Sequence, residues 1–75
     1  MNYASQIILE ILEKKFQNDP FYLSEKKEEL EAHENKYDAL MYLFKLDKET
    51  KELFAQKVGV TLEDIEGTLN VLKGI

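Results

Sequence analysis

Few side chains in this sequence are equipped for chemistry. His33 is the only histidine, with Glu29 four residues before it and Glu34 beside it. On a helix the i−4 spacing puts Glu29 and His33 on one face, so the three groups outline part of a metal site. Zinc takes three or four protein ligands in a defined shell, and nothing else in the chain falls at ligand spacing. His33 therefore reads as a solvated histidine on a charged helix. The hydroxyls of Ser5, Ser24, Thr50, Thr61 and Thr68 all have helix-cap or helix-surface explanations. No base accompanies any of them in a pattern that activates a nucleophile. Cysteine is absent, which removes disulfides and cysteine zinc sites together. Three glycines, Gly59, Gly67 and Gly74, build no phosphate-cradling loop. The expectation is a protein that is not an enzyme, with no catalytic residue, no cofactor and no metal.

If the chain acts, it acts by binding, and charge narrows what it binds. Fifteen acidic groups face ten basic ones for a formal net charge of −5, and all ten basic residues are lysine. Arginine is the side chain suited to bidentate contacts with phosphate and guanine. An acidic chain without it is a poor candidate for binding nucleic acid by charge attraction. The first ten residues carry no basic leader, and no run approaches the 18 or so apolar residues of a membrane span. A soluble, cytoplasmic protein with no membrane partner is expected.

A protein partner fits better. Leu23, Leu30, Tyr37 and Phe44 are spaced by seven, a heptad seam. A seam of Leu23, Leu30 and Tyr37 with no cover within the chain prefers another chain, and Tyr22 adds an amphipathic aromatic of the kind enriched at interfaces. These four residues are the candidate partner-binding set, and a second copy of the chain (a homodimer) is one candidate partner. The charged run from Glu25 to Lys36 has a plainer reading as a solvated helix face.

The elements that carry these residues are all helical. Seventy-five residues make one domain, 1–75, which buries only about 60% of the surface its unfolded form exposes. A first helix over 3–17 shows Ala4, Ile7, Ile8, Ile11, Leu12 and Phe16 on one face, with Asn2 or Ser5 as its N-cap. Asn18-Asp19-Pro20 ends it. Phe21, Tyr22 and Leu23 then plug an end of the core. Two arrangements satisfy the next stretch. One is a continuous helix over 24–46, capped by Ser24 and open to a kink near Asn35. The other starts a new helix at Asn35 with Asp38 three residues on. With no Gly or Pro to force a break, the continuous helix is favoured. Its second half, Tyr37 to Leu46, is apolar on nearly all sides. It is read as the centre of the domain, with Tyr37, Leu40, Met41 and Phe44 facing inward. Asp47 caps a helix over 48–58 that Gly59 terminates. Thr61 caps the last helix, 62–73, with Asp64 in the capping-box position and Leu62, Ile65, Leu69 and Leu72 as its stripe.

Phe54-Ala55, Val58-Gly59-Val60 and Ile65 resemble the helix-turn-helix pattern, over roughly 20 residues. Ala55, Gly59 and Ile65 match its small, glycine and apolar positions, while its last apolar slot falls on Thr68 with Leu69 beside it. The resemblance implies a DNA-binding regulator whose recognition helix is 62–73, with Thr61 and Asn70 as candidate DNA contacts. That helix opens with Glu63, Asp64 and Glu66, which departs from what groove binding requires.

The sequence thus supports an all-α bundle of four to five helices, with a helix-turn-helix-like C-terminal hairpin packed on a central helix. The function it favours is a small acidic protein–protein interaction module: an adaptor, inhibitor or assembly factor. Small, cysteine-free, acidic helical proteins of this sort are frequent among phage and mobile-element accessory proteins.

Overall fold

The apolar face of the first helix dictates the rest. The computed structural model describes residues 1–33 and 35–73, the last two as backbone only. In α1 (Tyr3–Lys15) the residues Ala4, Ser5, Ile7, Ile8, Ile11 and Leu12 are buried. A helix that is apolar over this width needs cover on several sides, and α1 packs against three of the four other helices: α2 (Pro20–Glu31), α3 (Lys36–Leu43) and α4 (Lys48–Val58). The fifth, α5 (Leu62–Lys73), packs on α3 and α4. Among the described residues there are five helices and no strand. The radius of gyration is 12.1 Å, close to the about 11 Å of a compact chain of this length.

Four of the five helices start where a polar side chain takes up free amides. Asn2 accepts from the Ser5 amide, 2.9 Å, and its own amide group donates to the His33 carbonyl, 3.2 Å, tying the start of α1 to the segment after α2. Asp19 accepts from Tyr22 N–H, and Pro20 takes the first helical position, where a missing N–H costs nothing. Asn35 accepts from the Tyr37 and Asp38 amides. Thr61 and Asp64 cap reciprocally: the Asp64 amide donates to the Thr61 hydroxyl and the Thr61 amide to the Asp64 carboxylate. Gly59 ends α4 at φ 76°, the left-handed conformation a side chain disfavours.

The continuous helix expected over 24–46 is two helices, and the first begins at Pro20 rather than Ser24. Packing explains the break. Leu30, Ala39 and Leu43 are all fully buried in one cluster. On a single straight helix Leu30 and Ala39 would point in opposite directions, and Leu30 and Leu43 about 140° apart. Only an interruption lets all three converge on α1, and Asn35 supplies the cap that makes it inexpensive. Restarting the helix also resets its phase, so the seven-residue seam does not exist as a surface. Leu30 lies in the core, whereas Tyr37 is 41% exposed.

The inward face of α3 is corrected as well. Ala39, Tyr42 and Leu43 are buried, Leu40 and Phe44 partly so, and Met41 is 39% exposed. The hub is therefore α1 rather than the stretch from Tyr37 to Leu46. Phe21 does not plug the core: it is 87% exposed, while Tyr22 stacks on Phe16 with ring centroids 4.3 Å apart. In α5, Ile65 and Leu69 are buried and Leu62 partly so. The Leu72 side chain, Gly74 and Ile75 lie outside the described residues.

Ion pairs fix how α1 and α4 run. Lys15, near the end of α1, pairs with Asp47 and Glu49 at the start of α4, and Glu10 pairs with Lys57 near the end of α4. The two helices are thus antiparallel. Asp47 makes no side-chain hydrogen bond to a backbone amide. It receives the Lys15 ammonium and the hydroxyl of the buried Thr50 instead, which together hold its carboxyl below the usual range, Lys15 first. Exposed pairs of this kind stabilise by at most about 1 kcal/mol each, so apolar burial carries the fold.

Two substitutions test this account. Leu30→Ala should cost about 2–5 kcal/mol in urea unfolding, whereas Tyr37→Ala should cost under about 1 kcal/mol. Equal costs would restore the seam. A Cβ added at Gly67 meets nothing within 4 Å among the described residues. Gly67→Ala should stabilise by about 0.4–1 kcal/mol through helix propensity and unfolded-state entropy. A loss of stability would reveal an unrecognised neighbour.

Candidate functional site

The four residues proposed from sequence to bind a partner do not form one surface. Leu30 is inaccessible, Leu23 is partly buried against the core, and Tyr22 lies on Phe16 with the Lys26 ammonium 5.2 Å from its ring. Of the set, only Tyr37 is exposed, with Lys36 over its ring. The candidate DNA contacts are also apart in role. The Thr61 hydroxyl is engaged as a cap, while Asn70 is exposed.

What the fold builds instead is a cleft of about 490 Å³ between α3, the end of α2 and α5. Its floor is apolar: Met41, Tyr42, Phe44 and Leu69. Its rim carries His33, Asp38, Lys45, Glu66 and Asn70. Clefts of this size between helices of a bundle, apolar within and polar at a few convergent points, are the usual form of a binding site. His33, Tyr42 and Lys45 also line a second depression of about 520 Å³ on the α2 side, with Lys26, Glu29 and Leu46. These three side chains form the ridge between the two.

The ridge is held by a hydrogen bond. Tyr42 is 8% exposed, and its phenol donates to Glu29 across 2.5 Å, while Lys26 reaches the same carboxylate oxygen at 3.4 Å. The His33 and Tyr42 ring centroids are 5.4 Å apart. Burial, and then the bond to Glu29, hold the phenol protonated well above the usual tyrosine range. The same bond, opposed by burial, draws the Glu29 carboxyl below its usual range.

The Tyr42 phenol is the only hydroxyl in the cleft lining, and it is committed to Glu29. Among the described residues no group of three or more His, Asp or Glu side chains is placed to hold a metal ion. Glu34, the third member of the partial site around His33, lies outside them. No described helix is long and apolar enough to cross a membrane. Comparison with protein-family models, with curated proteins and with solved structures finds no match to the chain.

The cleft escaped the sequence reading because Met41, Phe44 and Leu69 sit in apolar stripes that look like core. One signal was present: Tyr37 to Leu46 is apolar on more sides than neighbours in so small a domain can cover.

The phenol–carboxylate bond gives a pH prediction. The folded state holds the Tyr42 proton more tightly than the unfolded chain. Its contribution to stability is therefore complete below the ordinary tyrosine value of 10.0 and is lost as pH rises through the folded value. Glu29 acts in the opposite sense: its contribution is present above its ordinary 4.5 and is lost as pH falls through the folded value. An ultraviolet titration should show one phenol ionising only as the protein unfolds, and Tyr42→Phe should remove that step at a cost of about 1 kcal/mol at neutral pH. An alkaline transition unchanged in Tyr42→Phe would contradict the assignment.

Proposed function

We propose that this chain is a protein–protein interaction module, without catalysis, that receives apolar side chains of another protein in the cleft between α3 and α5. One observation carries the reading: Met41 is more than a third exposed beside the apolar Tyr42, Phe44 and Leu69. A single exposed apolar residue is ordinary on any surface; Met41 differs in bordering a cleft that Tyr42, Phe44 and Leu69 line together with polar side chains, the form that binding sites take. The roles compatible with such a module are adaptor, inhibitor or assembly factor. The contact surface moves from the seam of Leu23, Leu30 and Tyr37 to the cleft between α3 and α5, and Tyr37 remains an exposed neighbour one turn before Met41 on α3.

A second reading rests on the corner between α4 and α5. Ala55 and Ile65 are buried on either side of left-handed Gly59, and the Val60 amide closes the turn on the Ala55 carbonyl at 3.1 Å. Burial of the small and apolar positions around a left-handed glycine supports the helix-turn-helix reading of this corner. A DNA-binding regulator would then use α5, with Thr61 and Asn70. The exposed side chains of α5 disfavour it, since Glu63, Asp64 and Glu66 would meet phosphates. Titration with duplex DNA at low salt separates the readings: binding that falls steeply with added salt supports the regulator, and no binding removes it.

The interaction reading is tested by affinity capture from host-cell extract on immobilised wild-type chain and on Met41→Glu, with Lys27→Glu as a distant control. Met41→Glu should fold as the wild type does and lose its partner, while the control keeps it. A captured protein indifferent to Met41 would place the contact elsewhere.

A further inference from the structure

We infer that this chain exchanges α1 and α2 with those of a second copy, α2 and α3 joining into one unbroken helix, to give a closed two-fold dimer. The inference stands apart from the cleft and its occupant, and rests on how the core is closed. Leu30, Ala39 and Leu43 all reach the face of α1, and a straight helix cannot aim all three there. They need not come from one chain. In an exchanged pair, α1 and Leu30 of one copy meet Ala39 and Leu43 of the other, and the helix over 20–43 runs straight in both. The packing divides the chain at this connection. α1 packs on α2, and α5 packs on α3 and α4, while the two parts meet mainly through α1 against α3 and α4. The pairs of Lys15 with Asp47 and Glu49, of Glu10 with Lys57 and of Tyr42 with Glu29 all cross that division. Each of them forms again between copies.

Local chemistry favours the unbroken form. Residues 32–35 join α2 to α3 without a glycine or a proline, and Leu23, Leu30, Tyr37 and Phe44 keep the seven-residue spacing of one continuous helix. Ala32 holds helical angles, φ −73° and ψ −17°, whereas Asn35 is extended at φ −125° and ψ 162°. Two polar contacts hold the break: the Asn35 side chain on the Tyr37 and Asp38 amides, and the Asn2 amide group on the His33 carbonyl. An unbroken helix pairs the Tyr37 and Asp38 amides with carbonyls one turn earlier instead. A short connection whose local preference opposes its closed geometry is the setting in which copies exchange elements. Every packing contact of the monomer is kept, so the exchange turns on the balance at the connection. The arrangement closes on itself after two copies and offers no free face for a third. Each copy carries a net charge of −5, so added salt favours the pair by screening repulsion.

The test refolds the full chain from urea at low and high concentration and reads its mass by sedimentation at physiological salt. A dimer should form at high concentration. Its connectivity is read by refolding isotopically light and heavy chains together and joining ion pairs with a zero-length carbodiimide. Lys15 lies 3.6 Å from Glu49 and Lys57 3.7 Å from Glu10, while Lys48 and Glu52, both on α4, serve as the control. In the dimer the first two links should join light to heavy peptides, and the third should not. Asn35→Ala removes a cap worth about fivefold in each closed copy, so it should tighten the dimer about 25-fold. Lys36→Pro acts in the opposite sense. Position 36 opens α3, where a missing N–H costs nothing, and Asn35 before it is already extended. That variant should unfold in urea as the wild type does and remain a monomer, because proline breaks the continuous helix. A wild-type chain that stays monomeric at every concentration overturns the inference, and so does a dimer whose Lys15 and Lys57 links remain within one chain. These two results decide without the proline variant. A folded Lys36→Pro chain that pairs as tightly as the wild type also overturns it.

Discussion

Convergence of Leu30, Ala39 and Leu43 on the apolar face of α1 is the constraint from which the rest of the architecture follows. A chain of 75 residues without cysteine has little besides apolar burial to hold it, and α1 offers the widest apolar face to bury. Three side chains that no straight helix can aim in one direction must reach that face. The backbone breaks after Glu31 to let them, and Asn35 restarts it. The restart leaves α3 only eight residues long, covered by α1 on one side and by α5 over part of another. The remaining flank, with Met41 on it, is only partly covered by the described residues. The cleft is in this sense a by-product of how the core closes.

Local chemistry was legible in the sequence and long-range geometry was not. Asn2, Asn35, Asp47, Gly59 and the Thr61–Asp64 pair all stand at helix ends, because a cap is a matter of a few adjacent residues; Ser24 does not, since the helix it was expected to open already begins at Pro20. The buried side of α1 was equally plain from its period. The break at Asn35 was not, since the spacing of Leu23, Leu30, Tyr37 and Phe44 is satisfied by an unbroken helix. What decides against that helix is a demand from α1, distant in sequence. Met41 shows the same limit: periodicity locates apolar flanks, but which flank is covered depends on the number of neighbours. Tyr42 does not stand out from its neighbours in the apolar stretch, and nothing local indicates that its phenol meets Glu29 across thirteen residues.

Buried polar atoms mark where the packing is compromised. The Ser5 hydroxyl is fully buried with no hydrogen-bond partner among the described residues. An unmade bond of this kind costs about 1–3 kcal/mol, tolerable in α1 because Ser5 lies among six buried residues of the best-packed helix. Thr50 and Tyr42 are buried too, yet each donates to a carboxylate side chain that is itself substantially exposed. That arrangement satisfies a polar core atom without burying a charge, which would be far more expensive.

The small size of the domain also explains why the cleft is not separate from the core. The α1–α4 side holds the long-range ion pairs, which contribute little energy individually. Tyr42 and Leu69 line the cleft and are at the same time buried members of the core cluster. Only Met41 and the polar side chains beside it can vary in charge and shape with little effect on stability. Seventy-five residues leave too narrow a margin for a cleft built from residues that do nothing else, so its walls are the outer edge of the packing itself.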